Sequence, residues 1–586
     1  MTTDERSATA GRWTRDSVRA FGRAVGARTA AALIVVTVLA LALRLFALGT
    51  RVFHWDEARV GYWILRYAEN GIWEYHAIIH GPFLYHVNKY LFQWFGASDF
   101  LARLPVAVVT GLLPLSAWLF RERLRRIEMV ALALLLAANP ILLYYSRFMR
   151  NDALLAAFMV FALGFYVRLL DTRRPRYLYA GTVMLALGFT TKENVLVYVI
   201  TWLGAAVLLF DHRLLVAARA DERMAVVRET ARDAWGGLRR WWDHLALALV
   251  VFLLIVVFFY APRARSVSGP GLWKAVGRPG MLPAVVEAGT IGAWNEFSST
   301  WAGGHQDHAY IPFFLHYVKA LWAGGAVVAV LAPVGFLVDR YRDDLPRDLV
   351  SFAFYWGFVS ILGYPIITDI KAPWATVHAV VPLAIPAAVG LGLLVRWGAE
   401  AITDGDAVSA TLAALLVLLL AGQVAATAVN TTYLHPQDHY LDEDRENENR
   451  LVQFGQPADG ISPTIERMEY AIAQNDGIDV LYYGSDFYVA DESRNDRWDA
   501  GGGWYDRLPL PWYTEKAGAE VASTTDLGAV ESDPPPVVIA RAEDSDAVSE
   551  RLDGYRAYEE ELTLWGSETV FFIDEEYRSP DNAGRQ

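Results

Sequence analysis

The chain has 586 residues, no cysteine, a formal charge of −13 and 54% hydrophobic residues. The lack of cysteine excludes a disulfide framework, a thiol nucleophile and any thiolate metal site. The apolar content excludes disorder over most of the chain and indicates that a large part of it lies in a membrane.

The charge is divided between two opposite parts of the chain. Residues 1–430 contain 40 basic and 30 acidic residues, whereas residues 431–586 contain 12 basic and 35 acidic residues. A basic, apolar part followed by a strongly acidic part predicts a membrane domain joined to a water-soluble domain. Only six of the 52 basic residues are lysine, which favours a halophilic source over the alternative of a GC-rich genome that prefers arginine codons.

Apolar stretches that approach the length needed to cross about 30 Å of hydrocarbon recur through the first 430 residues. We count about eleven, at residues 30–48, 104–120, 129–145, 153–170, 177–189, 195–210, 245–260, 314–338, 352–367, 377–395 and 408–429. The sequence therefore predicts a polytopic α-helical membrane protein with about 11 transmembrane helices in residues 30–430.

Arginine-rich segments set the predicted orientation. Residues 1–29 are basic, and so is every second loop, at residues 121–126, 173–176, 213–240 and 340–347. By the positive-inside rule these segments are cytoplasmic, so the long first loop, residues 50–103, is external. An odd number of spans then makes the acidic residues 431–586 an extracellular domain of a multi-pass protein of the cell membrane.

The acidic part begins with a polar run, residues 437–450, that predicts a solvated linker. Apolar segments at residues 478–483, 536–540 and 569–573 are typical of strands, and residues 545–552 predict a helix. These elements predict a small C-terminal soluble α/β domain.

Charged residues lie at the predicted outer ends of the helices. Asp56 and Glu57 directly follow the first span, where an acidic pair is costly unless it serves a partner or a reaction. As interfacial residues they are also compatible with a purely structural role, and Asp152 with the role of a helix cap. If the outer turns converge, they form one cavity with carboxylates and cations, which suits sugar transfer from a lipid phosphate. These turns also contain Arg147, Arg150, Lys192, Glu193, Lys371 and His378, besides Glu296, Asp307 and Asp369.

Several motifs of the first loop resemble those of GT-C membrane glycosyltransferases. The resemblance is carried by Trp55-Asp56-Glu57-Ala58, His80-Gly81-Pro82-Phe83-Leu84, Phe95-Gly96 and Ala102-Arg103-Leu104-Pro105. It includes the protein O-mannosyltransferases and the aminoarabinose lipid A transferases, and the closer likeness is to the archaeal flippase-activity-associated family. It covers residues 30–210 well and the spans to residue 429 in outline.

The resemblance implies a GT-C fold and roles for particular residues. Asp56 would be the catalytic carboxylate, with Glu57 beside it and Asp152 shaping the same site. His80 stands where the aminoarabinose transferases have lysine, which weakens its case as a phosphate contact, because histidine is mostly neutral at pH 7. Together with the charged outer turns, this resemblance gives as candidate substrate-binding residues Arg59, His80, Arg147, Arg150, Lys192, Glu193, Lys371 and His378.

The implied reaction is transfer of a sugar, with inversion, from a polyprenyl (dolichyl) phosphate donor to a glycan, protein or lipid acceptor at the external face. Expected partners are membrane lipids and other glycosylation or flippase proteins, and no nucleic acid. No cofactor is required, although the spacing of His76 with His80 and of His305 with His308 leaves a divalent metal open. The alternative function is a lipid-linked sugar flippase component or a non-catalytic flippase-associated assembly factor.

Overall fold

A computed structural model describes residues 15–77, 80–217, 219–264, 270–301, 308–341, 346–438, 449–453, 455–492, 502–564 and 568–577. Its larger part is a bundle of helices. In chain order these are α1 (Arg15–Leu45), α2 (Trp55–Asn70), α3 (Phe83–Phe95), α4 (Asp99–Gly111), α5 (Arg126–Ala138), α6 (Pro140–Tyr145), α7 (Asn151–Thr172), α8 (Pro175–Phe189), α9 (Val195–Val216), α10 (Ala220–Tyr260), α11 (Leu272–Gly277), α12 (Leu282–Glu287), α13 (Ala293–Trp301), α14 (Tyr310–Arg340), α15 (Asp348–Ile367), α16 (Val377–Asp404) and α17 (Ala407–Val429).

Nine helical segments in the described part of the chain are long and apolar enough to cross a membrane. They are α1, α4 with the 3₁₀ segment that continues it to Phe120, α7, α9, α10 and α14 to α17. The prediction of a polytopic helical membrane protein is confirmed, with α2 and α3 as short helices of the first loop.

Two of the eleven predicted spans are shorter in the structure. Residues 129–145 are divided between α5 and α6, because Pro140 lacks the N–H that would continue α5 and Asn139 caps the next helix, accepting from the N–H of Leu142 at 3.2 Å. Residues 177–189 lie in α8, which has only 15 residues. Both segments pack inside the bundle, against α16 and α7 respectively.

Helix α16 lies at the centre of the bundle, where glycines allow close contact with α14. A methyl group at Gly335 would lie 1.9 Å from the carbonyl oxygen of Pro386, and one at Gly390 would lie 2.6 Å from that of Leu331. Small residues at such contacts let two helix backbones approach each other in a membrane. This packing fixes α16, which carries His378 in its first turn.

The start of α2 is set by a capping box. The His54 ring accepts a hydrogen bond from the N–H of Asp56 at 3.0 Å, and the Glu57 carboxylate accepts one from the N–H of His54 at 3.0 Å. Gly71 ends the helix in the left-handed conformation, with φ of +71°. Asp56 and Glu57 are thereby held in the first turn of α2.

The C-terminal part contains one mixed sheet. Its elements are α18 (Ser462–Ile472), β1 (Ile478–Tyr483), α19 (Gly502–Asp506), α20 (Leu510–Ala517), β2 (Glu520–Thr524), α21 (Leu527–Ser532), β3 (Val537–Arg541), α22 (Ser545–Ser549), β4 (Tyr555–Glu561) and β5 (Glu568–Asp574). The strand order is β2-β1-β3-β5-β4, with β1 parallel to β2 and β3, and β5 antiparallel to β3 and β4. The three predicted strands and the predicted helix are confirmed; β2 and β4 were not predicted, because they are mainly polar and only partly buried.

This sheet domain packs on the first loop. The ring of Phe53 stacks on that of Trp512 at 4.7 Å between centroids, and the Trp512 Nε1–H donates to Asp99 at 2.9 Å. A methyl group at Gly61 would lie 2.7 Å from the Trp512 ring, so only glycine lets α20 lie this close to α2. The contact places the sheet domain directly above the first turn of α2.

Residues 449–453 return to the bundle after the last span. Leu451 and Val452 are buried in the same apolar core as the membrane helices, and Tyr145 donates to the carbonyl of Leu451 at 2.5 Å. Most of the predicted linker, residues 439–448, lies outside the described residues. The segment just before the sheet domain is therefore packed against the bundle.

Candidate functional site

Glu57 lies at the centre of a buried hydrogen-bonded cluster. Its fully buried carboxylate accepts from Nε and Nη2 of Arg103 at 2.8 and 2.9 Å, from Nη2 of Arg51 at 3.1 Å and from the N–H of Met149 at 2.7 Å, in addition to the N–H of His54. Burial alone would raise the pKa of Glu57, but the charges of Arg103 and Arg51 outweigh it and hold that pKa well below its usual range. With both oxygens saturated, Glu57 ties the first loop to α4 and to the turn before α7, so the predicted catalytic role does not fit its surroundings.

Asp56, the neighbour of Glu57, faces a small cavity instead. Its side chain is 38% exposed and pairs with Nη1 of Arg150 at 2.7 Å. Burial raises the pKa of Asp56, but the surrounding charges, of which that of Arg150 is the largest, together outweigh burial and bring the pKa to about 2, so the carboxylate is ionised at neutral pH. The cavity, of about 30 Å³, is lined by Asp56, Arg59, Val60, His80, Met149, Arg150 and Asn151.

Arg150 is held in place from two other sides. Its guanidinium lies over the Trp374 ring, 4.3 Å from the centroid, and donates to the side chain of Gln453. Only 8% of Arg150 is exposed. A buried, planar guanidinium is well suited to bind an anionic group such as a phosphate, and here it lies beside an ionised carboxylate.

The segment around His80 lies on the turn between α8 and α9. The N–H of Gly81 donates to the carbonyl of Thr191 at 3.0 Å, and a methyl group at Gly81 would lie 2.4 Å from the carbonyl oxygen of Thr190. This close approach brings Nδ1 of His80 within 3.2 Å of the Glu193 carboxylate. The predicted residues His80 and Glu193 are therefore in contact with each other at the rim of the Asp56 cavity.

Glu193 also accepts from the hydroxyl of Tyr75 at 2.8 Å. Burial raises the pKa of Glu193, but the hydrogen bond and charge of His80 prevail and lower it. Glu193 is thus an ionised carboxylate that orients the His80 ring. This contact fits a role in positioning His80 better than direct binding of the substrate.

Asp152 forms a second buried network, beside Arg150 but turned away from the cavity. Both oxygens of Asp152 accept from Nζ of Lys192 at 3.0 Å, and Nε2 of His378 lies 3.1 Å from one of them. Nδ1 of His378 in turn lies 2.7 Å from the Tyr198 hydroxyl. The network connects α7, α9 and α16. Asn151, and not Asp152, lines the Asp56 cavity. This arrangement fits a role of Asp152 in holding Lys192 better than direct contact with the reacting atoms.

The other predicted residues lie in different surroundings. Arg147 donates to the carbonyls of Arg44 at 3.0 Å and Ala47 at 2.7 Å, so it caps the end of α1, which differs from the predicted substrate-binding role. Arg59 lines the cavity and lies 5.0 Å from the Tyr505 ring of the sheet domain. Lys371 is exposed between α15 and α16.

Several residues of the site were not predicted. Arg51 and Arg103 hold Glu57, while Gln453 and Gln456 contact Arg150 and Arg51 from the segment that follows the last span. Arg103 belongs to the first-loop motif Ala102-Arg103-Leu104-Pro105, so the sequence did contain a signal for its importance. A neutral glutamine some 300 residues away from its partner gives no comparable signal.

The described residues contain no group of three or more His, Asp or Glu side chains arranged to hold a metal ion. His76 lies near Glu74 at 3.8 Å and Glu296 at 3.4 Å, whereas His80 contacts Glu193. His305, the partner suggested for His308, lies outside the described residues. The metal suggested by the histidine spacings stays a prediction.

Comparisons with known proteins bear on both parts of the chain. Residues 79–221 match a family model described as dolichyl-phosphate-mannose-protein mannosyltransferase, and residues 461–574 match one described as Agl23 flippase-associated protein C-terminal domain. A search of curated protein sequences found no significant match.

Solved structures resemble the chain over nearly its whole length. ArnT from Cupriavidus metallidurans bound to undecaprenyl phosphate is 16% identical with a TM-score of 0.51, covering 93% of this chain and 99% of that one; its apo form gives 17% and 0.53, covering 93% and 98%. The archaeal oligosaccharyltransferase AglB from Archaeoglobus fulgidus, in complex with an inhibitory peptide and a dolichol-phosphate, is 14% identical with a TM-score of 0.50, covering 94% and 75%. The chain therefore has the GT-C fold, and its resemblance to GT-C and flippase-associated proteins is confirmed.

Proposed function

We propose that this protein transfers a sugar from a polyprenyl (dolichyl) phosphate to an acceptor at the external face of the membrane, with inversion. The observation that carries the proposal is the Asp56 cavity, in which an ionised, partly exposed carboxylate lies 2.7 Å from a buried arginine. Support comes from the neighbours with the same fold, one bound to undecaprenyl phosphate and one to dolichol-phosphate.

In the proposed reaction the acceptor oxygen forms a bond to the anomeric carbon while the bond from that carbon to the phosphate oxygen breaks. The electron pair leaves with the phosphate, and the acceptor proton passes to Asp56 and then to water. Arg150 and Arg59 supply positive charge for the phosphate, whose departure needs no proton. A phosphate that draws Arg150 away from Asp56 also makes this carboxylate a stronger base.

The proposed orientation follows from the two ends of the bundle. The Asp56 cavity and the sheet domain lie at one end, whereas Arg123, Arg347 and Arg396 lie at the other, where Arg347 and Arg396 pair with Glu128. The arginine-rich end is the cytoplasmic one by the positive-inside rule. We therefore place the sheet domain and the site outside the cell membrane.

The match to a flippase-associated domain over residues 461–574 favours a second candidate, a non-catalytic component of a lipid-linked sugar flippase. Such a role requires the scaffold and the sheet domain but makes no use of an ionised Asp56. The two candidates therefore differ in what they expect from a change at this one residue.

The test is Asp56→Asn, assayed for transfer from a polyprenyl-phosphate sugar in membranes. We expect transfer to fall by at least about a hundredfold, as for loss of a catalytic acid or base, with unchanged expression and thermal unfolding. Glu69→Gln is the matched control, because Glu69 is an exposed carboxylate at the far end of the same helix, paired with Arg66. Full transfer by the Asp56 variant would rule out the catalytic proposal and leave the assembly role.

A further inference from the structure

A second and much larger cavity lies between the sheet domain and the membrane domain. Its volume is about 460 Å³, within the range of about 300 to 1,000 Å³ that is usual for small-ligand sites. The membrane domain contributes Trp55, the residue next to Asp56 in the first turn of α2. The remaining wall comes from the sheet domain, so the cavity exists only where the two domains meet.

The sheet topology places this cavity where α/β sheets bind ligands. Strands β1 and β3 are parallel neighbours in the sheet. The connection after β1 leads to β2 at one edge of the sheet, whereas the connection after β3 leads to β4 at the opposite edge, so the direction of the connections changes between β1 and β3. In open α/β sheets the carboxyl ends of two such strands form a ligand-binding crevice. Asp486 follows β1, Arg541 ends β3, and both line the cavity.

The wall combines aromatic rings with hydrogen-bonding side chains. The rings of Trp55 and Tyr505 lie nearly parallel, 6.0 Å apart at 25°, and the Trp55 Nε1–H donates to the carbonyl of Tyr505 at 3.2 Å. The Arg541 Nε lies 3.3 Å from the Asp486 carboxylate, while Nη1 of Arg541 is buried without a hydrogen-bond partner in the described part of the chain. Asp506 completes this part of the wall.

The charges narrow the class of ligand. With Glu543 and Glu568, the wall has four carboxylates and one arginine, which disfavours an anion. Partial burial raises the pKa of Asp506, and the charge of Arg541 offsets this only in part. The carboxylates do not converge on a metal site among the described residues. Hydroxyl groups, in contrast, donate to carboxylates and accept from arginine, and apolar sugar faces pack on aromatic rings.

We propose that this cavity binds a neutral saccharide, which is the acceptor or the part of the acceptor next to the attacking hydroxyl. The assignment of a saccharide rests on the cavity alone, whereas its role as acceptor rests on the transfer proposed for Asp56. The two cavities adjoin where Arg59, which lines the Asp56 cavity, lies 5.0 Å from the ring of Tyr505, which lines this one, so a saccharide that extends past this contact presents its end to Asp56.

The test uses the purified full-length protein in nanodiscs and labelled glycans released from cells in which its gene is deleted, separated into neutral and acidic fractions. We expect the wild-type protein to retain neutral glycans. Arg541→Gln and Asp506→Asn should each weaken this retention by about tenfold or more, because each removes one hydrogen bond between the glycan and a charged group. Arg551→Gln is the matched control, since Arg551 pairs with Glu531 on an exposed surface of the same domain. Unchanged thermal unfolding of each variant shows that it is folded.

The outcomes separate this inference from the proposed function. No retention of neutral glycans by the wild-type protein, retention of acidic glycans only, or equal retention by folded Arg541 and Asp506 variants would each overturn the saccharide site, even if transfer is observed. Asp56→Asn should lose transfer and still retain glycans. Retention of glycans by a wild-type protein without transfer activity would leave the saccharide site standing and remove the acceptor role.

Discussion

The Glu57 cluster and the Asp56 cavity are adjacent regions built on consecutive carboxylates, and they differ in burial and in the number of hydrogen bonds. Glu57 is fully buried and accepts five hydrogen bonds, while Asp56 is 38% exposed and has one strong ion pair, to Arg150. The first arrangement holds three chain segments together, and the second leaves a charged oxygen accessible. A helical turn that is fixed by one residue can thus present the next one to a substrate.

The strongest test of this difference is Glu57→Gln. The amide removes the charge that Arg51 and Arg103 share in a buried place, and breaking such a buried pair typically costs about 3 to 5 kcal/mol. We expect a large fall in the free energy of unfolding, measured by thermal or denaturant unfolding in detergent. Glu122→Gln, at an exposed residue 3.6 Å from Arg168, should change stability little. Normal stability of Glu57→Gln together with lost transfer would assign Glu57 to catalysis.

Arg150→Gln acts on the cavity instead of the cluster. Loss of the guanidinium removes the largest of the charges that hold the pKa of Asp56 at about 2, so this pKa rises toward its usual value. We expect transfer at pH 7 to fall by about a hundredfold, a usual cost of removing one electrostatic stabiliser. The pH profile of the residual activity should lose rate on the acidic side at a higher pH than the wild type does. An unshifted profile would contradict the pairing of these two residues.

Lys192→Met tests the network beneath the cavity. It removes one partner of a buried ion pair, which typically costs about 3 to 5 kcal/mol, and His378 stays as a hydrogen-bond partner of Asp152 that reduces the loss. We expect a lower unfolding midpoint than in the wild type, although the loss is smaller than for Glu57→Gln. Lys371→Met is the matched control at an exposed lysine, expected within about 0.5 kcal/mol of the wild type. Equal effects of the two changes would argue against a structural role of Lys192.

The smallest expected effect is on the pH dependence of stability. The pKa of Glu57 is lowered in the folded protein, so its contribution is complete above its unfolded value of 4.5 and is lost as pH falls toward the folded value. The difference in unfolding free energy between wild type and Glu57→Gln should therefore stay constant from pH 7 to about pH 5.5 and shrink below pH 4.5. A difference that stays constant or grows as pH falls below 4.5 would show that the pKa is not lowered.

Much of the fold could be predicted, because its signals are local. Apolar length marks the spans, and short apolar segments mark β1, β3 and β5, whereas β4 carries three consecutive glutamates and shows no such signal. The break at Asn139 and Pro140 was also readable in principle, but the apolar residues on both sides of it suggested one continuous span.

The site was predictable only in part, for a related reason. Asp56 is conspicuous because a charge at a helix end stands out against an apolar sequence. What distinguishes it from Glu57 is the placement of Arg103 and the N–H of Met149, 46 and 92 residues further along the chain. Periodicity cannot show such contacts, and the same holds for Asp152, whose partners Lys192 and His378 come from other helices.

The two glutamines that follow the last span limit how the protein can be divided or recombined. Gln453 contacts Arg150, and Gln456 contacts both Arg51 and the carbonyl of Val52, so this short segment completes the walls around both carboxylates. Chimaeras that exchange the sheet domain between related chains should therefore join after residue 456 and not at residue 430. The apolar part of the chain ends near residue 430, whereas the unit that can be exchanged as a whole begins only after residue 456.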